Sequence, residues 1–235
     1  MTRRANARIA GFTFLFYIAV SFTGMVLSSR AASGEGTAAK LAGIAAHASG
    51  VRAAVVLELL GGFCALVLAV TLYSITRDVD PDLAMLVLVF RVVEGVGVVS
   101  LQRTLGRLWL ATATGADAPD PAAANALAAL LLKLPSWSME ISASFFAVGS
   151  TAFACLLLRG RLVPVALAWV GVLASILVLV ALPLQLVGIL RGPFTDLMWI
   201  PMLAFEVPLG LWLLFKGVAV PARAEVRGRA GGSLR

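Results

Sequence analysis

Six long runs of apolar residues limit what this chain can fold into more than any other feature of its sequence. A helix needs about 20 mainly apolar residues to cross the roughly 30 Å of hydrocarbon in a bilayer. A helix also satisfies its own backbone hydrogen bonds, which is required where no water is present. The runs predict an all-α integral membrane protein, a six-transmembrane-helix bundle with spans at about 9–27, 53–73, 83–101, 137–158, 163–190 and 197–215.

The composition supports this class and disfavours others. Hydrophobic residues make up 60% of the 235 residues and charged residues 13%, whereas soluble globular chains have about 45–50% and about 25%. Disordered chains, disulfide scaffolds and nucleic-acid-binding domains are therefore disfavoured. The net charge of +7 comes from basic residues near the ends of the apolar runs, where such residues fix membrane topology. The predicted partner is the lipid bilayer, and no nucleic acid is expected.

The segments between the runs predict smaller elements. Residues 28–50 are small and polar, with one short surface helix expected among them. Residues 122–134 form an apolar stretch that is too short to span, so we expect a short interfacial helix between spans 3 and 4, closed by Pro135. The first run exceeds the roughly 7–15 residues of a signal-peptide core, which favours a retained helix. Residues 1–217 are thus one membrane domain, and 218–235 are a flexible basic cytoplasmic tail.

The distribution of lysine and arginine predicts the orientation. With the N-terminus inside, eleven of the 19 basic residues fall on the cytoplasmic side and seven on the other, while Arg91 lies in the membrane. An excess of Lys and Arg marks the cytoplasmic loops of membrane proteins. We therefore expect a multi-pass protein of the bacterial cytoplasmic (inner) membrane with both termini in the cytoplasm.

Five ionisable side chains lie inside or at the edge of the predicted spans: Glu58, Arg91, Glu94, Glu140 and Glu206. Each ionised group at the bilayer centre costs at least about 2.5–3.5 kcal/mol on insertion scales, so each is expected to find a partner or a water-filled cavity. Arg91 and Glu94 are three residues apart and share one helical face. The sequence predicts an intramembrane polar cluster of Glu58, Arg91, Glu94 and Glu206, with Glu140 as a contributor at the outer rim.

Three classes of function are compatible with such a cluster. A small transporter or ligand-binding protein would use the acids to bind a proton, a cation or a small solute. A non-catalytic assembly or partner protein would use the Arg–Glu cluster only to hold helices together. An intramembrane enzyme would need a nucleophile, metal or cofactor motif, and the sequence contains none: His47 is the only histidine, and no phosphate-binding GxxxxGK[ST] loop occurs. No cofactor, metal site or catalytic residue is predicted, and binding or transport is the preferred hypothesis.

Three motifs carry a resemblance to a known family. They are Ala-Arg-Ile-Ala-Gly-Phe at residues 7–12, Phe-Arg-Val-Val-Glu at Phe90–Glu94, and Glu-Val-Pro-Leu-Gly-Leu-Trp-Leu-Leu-Phe-Lys-Gly at Glu206–Gly217. Their order and spacing resemble a bacterial six-span membrane family catalogued as domain of unknown function 4386, over about Arg8–Gly217. The resemblance implies a compact helical membrane domain without an assigned activity. It adds weight to Arg91, Glu94 and Glu206 and implies no catalytic role.

Overall fold

The computed structural model describes residues 2–95, 98–114 and 118–219, and it describes the backbone alone for 98–100 and 133–139. Within these residues the chain is helical and contains no strand, so the predicted all-α class is confirmed. The helices, in chain order, are α1 (Arg3–Ala31), α2 (Gly36–Ala46), α3 (Ala48–Thr76), α4 (Pro81–Gly95), α5 (Val98–Thr112), α6 (Pro121–Gly160), α7 (Val165–Leu186), α8 (Phe194–Leu197) and α9 (Ile200–Phe215).

Among the residues that the structure describes, five helical segments are long and apolar enough to cross a membrane: Arg3–Ala31, Ala48–Thr76, Glu140–Gly160, Val165–Leu186 and Phe194–Phe215. They expose many large apolar side chains, Phe12, Phe63 and Leu173 among them, as expected where lipid replaces water. The chain is therefore a multi-pass membrane protein. The predicted third span at 83–101 coincides with α4 and the start of α5, and residues 96–97 between these helices lie outside the described ones. Its crossing of the membrane stays a prediction.

The helix predicted at 122–134 is present, but its predicted end at Pro135 is wrong. It forms the first part of α6, whose backbone stays helical from Pro121 to Gly160. Proline removes one hydrogen bond and its ring crowds the preceding turn. Helices in an apolar environment tolerate this, because neighbouring groups satisfy the freed carbonyl. The predicted basic tail is described only at residues 218–219, and the rest of it lies outside the described residues.

The contacts divide the chain into two compact units. Unit 1 comprises Met1–Phe16, Cys64–Gly95 and Glu140–Arg235, and unit 2 comprises Tyr17–Phe63 and Val96–Met139. Unit 1 contains α4, α7, α8 and α9, and unit 2 contains α2 and α5. The long helices α1, α3 and α6 contribute residues to both units.

One end of unit 1 collects the start of α1, the α3–α4 turn, the α6–α7 turn and the residues after α9. Several contacts join these segments. Among them, Arg3 Nη2 donates to the Ile75 carbonyl at 2.7 Å, Arg159 Nη1 lies 3.0 Å from Asp80 Oδ2, and the Ala219 amide donates to the Leu162 carbonyl at 3.0 Å. Helices α1, α4 and α7 therefore begin at this end, and α3, α6 and α9 finish there. We call it the common end.

Close backbone contacts hold the helices of unit 1 together. A Cβ atom on Gly11 of α1 would lie against the Leu214 amide nitrogen and 2.6 Å from the Gly210 carbonyl oxygen of α9. A Cβ atom on Gly171 of α7 would meet the ring of Phe205 on α9. Small residues of this kind let membrane helices approach closely, since packing rather than hydrophobic exclusion drives their association. Helix α9 is thereby held between α1 and α7.

Unit 2 has a small core of its own. The end of α1, helix α2, the start of α3 and helix α5 meet around Ala31, Ile44, Val51 and Leu108. Helix α2 lies very close to the end of α1, because a Cβ atom on Gly43 would come 2.5 Å from the Ala31 carbonyl oxygen. The surface helix expected within residues 28–50 is thus packed against three other helices.

Candidate intramembrane binding site

Arg91 of α4 lies at the centre of a buried polar cluster in unit 1. Only 1% of its side chain is exposed, and its Nη1 atom lies 3.0 Å from Oε2 of Glu94, one helical turn later. This distance and the charges make a charge-assisted hydrogen bond. The pair follows directly from the three-residue spacing in the sequence, which places both groups on one face of α4.

Glu206 brings a second acid to Arg91 from a distant part of the chain. Its Oε1 atom, on α9, lies 3.9 Å from Arg91 Nη2, and 9% of its side chain is exposed. That distance makes an ion pair but exceeds the length of a hydrogen bond. Glu206 is therefore bound less tightly to Arg91 than Glu94 is.

Two aromatic rings and a hydroxyl complete the surroundings of Arg91. Its guanidinium carbon lies 5.6 Å from the ring centroid of Phe14 on α1 and 4.9 Å from that of Phe146 on α6. Both distances are within the range of cation–π attraction. Arg91 Nη2 also donates to the Ser150 hydroxyl at 3.3 Å. Four helices, α1, α4, α6 and α9, thus supply the site.

The cluster lies near the middle of the apolar layer that these helices define. Arg91 is ten residues from the start of α4, Ser150 ten from the end of α6, and Glu206 nine from the end of α9. At 1.5 Å per residue these positions are about 14–15 Å from the common end. A bilayer has a hydrocarbon core of about 30 Å, so its midplane lies at a similar depth.

The charges within the cluster do not balance when both acids are ionised. Arg91 carries one positive charge, and Glu94 and Glu206 carry two negative charges between them. One proton on either carboxylate makes the three groups neutral, and a monovalent cation would do the same. Because a net charge in a low-dielectric interior is costly, the arrangement is chemically suited to taking up one positive charge.

Glu140 of α6 pairs with a neighbour that the sequence analysis did not identify. Gln185 Nε2 on α7 donates to Glu140 Oε1 at 3.2 Å, while Gln185 Oε1 is buried without a hydrogen-bond partner. Both residues are twenty positions from the common end of their helices, or about 30 Å away. This depth corresponds to the opposite edge of the hydrocarbon, and the rim role predicted for Glu140 stays a prediction.

Glu58 of α3 lies in unit 2, where its charged neighbour is Arg107 of α5. Burial lowers the pKa of the Arg107 guanidinium, Glu58 opposes this effect, and Arg103 adds to it. Arg91, Glu94 and Glu206 belong to unit 1. The structure therefore brings together three of the four residues predicted to form the cluster, and the convergence of Glu58 with them stays a prediction.

Sequence reasoning missed Phe14, Phe146, Ser150 and Gln185. A phenylalanine or serine in an apolar helix is ordinary, and nothing local marks the few that contact a charge. The i,i+4 spacing of Phe146 and Ser150 places them on one face of α6, but that spacing alone does not identify the helix they meet. Within the part of the chain that the structure describes, no group of three His, Cys, Asp or Glu residues is arranged to hold a metal ion.

A comparison with protein families identifies a relative for nearly the whole chain. The profile of the family described as Domain of unknown function (DUF4386) matches residues 9–217. The chain belongs to this family. The DUF4386 match includes every residue of the cluster, from Phe14 to Glu206. No curated protein and no solved structure matches the chain. The DUF4386 description assigns no activity.

Proposed function

We propose that this membrane protein binds a proton, or a small cationic solute in its place, at the Arg91–Glu94–Glu206 cluster, and that this binding is coupled to the transport of a small solute. The observation that carries the proposal is the presence of two buried acids on one buried arginine near mid-membrane depth. Intramembrane ionisable residues of this kind mark proton relays and ion pathways in many transport proteins.

Glu206 is the acid that would exchange its bound charge. Glu94 shares α4 with Arg91 and makes the 3.0 Å contact, whereas Glu206 is on α9 at 3.9 Å. Neutralising Glu206 removes its attraction to Arg91 and loosens the link between α9 and α4. A proton or a cationic ligand would thereby change the packing of α9, which is the kind of coupling that a transport cycle requires.

The proposal includes the location and orientation of the protein. It is a protein of the bacterial cytoplasmic membrane, with the common end and both termini on the cytoplasmic side. The support is the excess of lysine and arginine on the side of the N-terminus. The six-span arrangement is part of the same proposal. Helix α4 begins and α6 finishes at the common end, so the chain between them has to move away from that end and come back to it.

Proton binding is testable by infrared difference spectroscopy on the purified full-length protein. The C=O stretching band of a protonated carboxyl group is followed while the buffer pH is changed. We expect a band that titrates in the wild type, is lost in Glu206→Gln and is retained in Glu140→Gln, the matched acid outside the cluster. Proteoliposomes with an enclosed pH-sensitive dye then report whether Glu206→Gln also abolishes proton flux. A band that is absent from the wild type, or kept in both Glu206→Gln and Glu94→Gln, contradicts the proposal.

The alternative is a non-catalytic assembly or partner protein in which the cluster only fastens helices. The contacts that favour it are the 3.0 Å Arg91–Glu94 pair and the Phe146 ring 4.9 Å from the guanidinium, which hold Arg91 in place without any ligand. Under this alternative no carboxyl band titrates. Replacing Arg91 and Glu94 together then preserves both the fold and any growth phenotype of the wild type.

A further inference from the structure

A second polar site lies in unit 2, apart from the residues of the proposed proton site. Helix α5 carries Arg103 and Arg107 four residues apart, so both project from the same face. Arg103 is buried and Arg107 is half-buried, while Leu105 and Trp109 on the other side of α5 are exposed. Two arginines on one face of a helix repel each other.

Two charges act on Arg107: Glu58 of α3 attracts it, and Arg103 repels it. A guanidinium stays protonated even when it is buried, so Arg107 keeps its positive charge in this setting. An oxygen atom with negative charge placed beside Arg107 would be attracted to it.

A narrow recess gives access to Arg107. Its lining consists of Ser28, Ala32, Ile44, Val51, Thr104 and Arg107, from α1, α2, α3 and α5 and the residues beside them. No carboxylate is among these residues. The recess is large enough for about one water molecule, or for one oxygen atom of a larger group. Its apolar floor belongs to the core of unit 2, so packing fixes its shape.

The polar groups that line the recess are the Arg107 guanidinium and the hydroxyl groups of Ser28 and Thr104. Arg107 Nη2 donates to the Thr104 hydroxyl at 3.1 Å, whereas Arg107 Nε is buried and has no hydrogen-bond partner. The Ser28 hydroxyl can donate as well. A buried donor without an acceptor is costly, and an oxygen atom with negative charge is the acceptor that a guanidinium binds best.

From these observations we propose that Arg107 and Ser28, with Thr104 holding the guanidinium in place, form an anion site that takes one oxygen of a phosphate group. The phosphate is that of an anionic lipid headgroup or free inorganic phosphate. The exposed Leu105 and Trp109 on the same helix favour the lipid, because amphipathic rings and apolar side chains are placed at the membrane interface. Basic pockets between membrane helices are one kind of site that binds the headgroups of anionic lipids.

The test uses the full-length protein in a neutral detergent. Native mass spectrometry measures the binding of phosphatidylglycerol against phosphatidylcholine, and isothermal titration calorimetry measures inorganic phosphate. We expect one phosphatidylglycerol to bind in preference to phosphatidylcholine, and Arg107→Gln to weaken that binding about tenfold, as for the loss of a hydrogen bond to a charged group. Arg52→Gln, which removes an exposed arginine of α3 in the same unit, is expected to leave it unchanged.

Ser28→Ala keeps every charge and is the second variant, expected to weaken binding by a smaller factor. It decides the outcome if Arg107→Gln does not fold. Phosphate binding that depends on Arg107 and Ser28, without any preference for phosphatidylglycerol, assigns the site to the free anion. The proposal is overturned if neither phosphatidylglycerol nor inorganic phosphate binds. It is also overturned if the ligand that binds has the same affinity for the wild type, for Ser28→Ala and for Arg107→Gln where that variant folds. None of these results bears on the Glu206 experiment, because the two sites share no residue.

Discussion

Arg91 illustrates how a single buried charge depends on its partners. Its side chain is 1% exposed and contacts Glu94, Glu206, Ser150 and two aromatic rings. Removing one member of a buried ion pair leaves the other as an uncompensated charge, and that usually costs more than the pair contributes. Replacing both members by apolar groups is often nearly neutral. Removing Arg91 alone therefore measures the cost of an unpaired buried charge, whereas replacing both members measures the net contribution of the pair to stability.

We expect Arg91→Met alone to lower the free energy of unfolding by about 3–5 kcal/mol. Arg91→Met combined with Glu94→Leu is expected to cost much less, because a proton on Glu206 then leaves no buried charge. Unfolding in mixed micelles with increasing denaturing detergent measures both. Arg77→Met, at an exposed position, is the control and is expected to stay within about 0.5 kcal/mol of the wild type. Equal losses in the single and double variants would show that the ion pair is not the cause.

Asp80 lies outside the spans, and its ionisation is coupled to the fold. The Leu83 amide donates to its Oδ1 atom at 3.1 Å, and Arg159 lies 3.0 Å from its Oδ2 atom. The Leu83 hydrogen bond and the Arg159 guanidinium lower the pKa of Asp80, while desolvation opposes them. Asp80 thereby caps the start of α4 and links it to the end of α6.

This lowered pKa predicts a pH dependence of stability. Ionised Asp80 stabilises the fold above the ordinary aspartate pKa of about 4, and the stabilisation is lost as the pH falls through the lower folded value. Asp80→Asn retains an acceptor for the cap but loses the charge. We expect the variant to melt at a lower temperature than the wild type at neutral pH and the difference to vanish in acid.

Thermal unfolding of both proteins over a series of pH values measures the effect. Glu35→Gln is the matched control, because Glu35 is exposed and makes no side-chain cap hydrogen bond. A difference between wild type and Asp80→Asn that persists in acid, or that also appears in the control, contradicts the assignment.

At the scale of helices, close backbone approach positions the site. Gly11 allows α1 to lie against Leu214 and Gly210 of α9, and α9 carries Glu206. An added methyl group at Gly11 would meet backbone atoms, which have no rotamer by which to move aside. Gly50, near the start of α3, has open space where a Cβ atom would be. Alanine substitutions at these two glycines therefore distinguish the effect of helix packing on stability from the effect of helix propensity.

Gly11→Ala is expected to lower the free energy of unfolding by about 1–3 kcal/mol through overpacking. Gly50→Ala is expected to raise it by up to about 1 kcal/mol, because alanine loses less conformational entropy in a helix than glycine. Both are measured by the same detergent-unfolding experiment. A stabilising Gly11→Ala would mean that α1 and α9 are further apart than the structure indicates.

At the scale of the whole molecule, the path of the chain across the membrane is the main prediction. Single cysteines are introduced at Ser33, Arg77 and Ala118 in a protein that lacks Cys64 and Cys155, and intact cells are treated with a membrane-impermeant maleimide. We expect labelling at 33 and 118 in intact cells, and at 77 only after permeabilisation. These sites lie between α1 and α2, after α3, and before α6.

The pattern of labelling separates the possible errors. The reverse pattern would show that the orientation deduced from the basic residues is inverted. Labelling of positions 77 and 118 from the same side would show that the segment at 83–101 does not cross the membrane. Labelling of positions 33 and 77 from the same side would show that α3 does not cross it. A protein without labelling at any of the three sites before permeabilisation would contradict the outward placement of 33 and 118.

The sequence by itself determined the class of the protein and most of its helices. Apolar runs of about 20 residues leave a helix in a bilayer as the stable structure, and this requirement is local. The Arg91–Glu94 pair was also predictable, because a three-residue spacing fixes two side chains on one face of a helix. The continuation of α6 past residue 135 was not predictable, since tolerance of a proline depends on what surrounds the helix.

Only the tertiary structure decided which distant residues meet. Glu206 reaches Arg91, Gln185 reaches Glu140, and Glu58 is the acidic neighbour of Arg107. In each case the partner is on another helix. Energetics required some partner for every intramembrane charge, but its identity depends on the rotation and crossing of each helix. Those are set by how side chains and glycines such as Gly11 interdigitate along whole helices, and such packing has no signature in a short stretch of sequence.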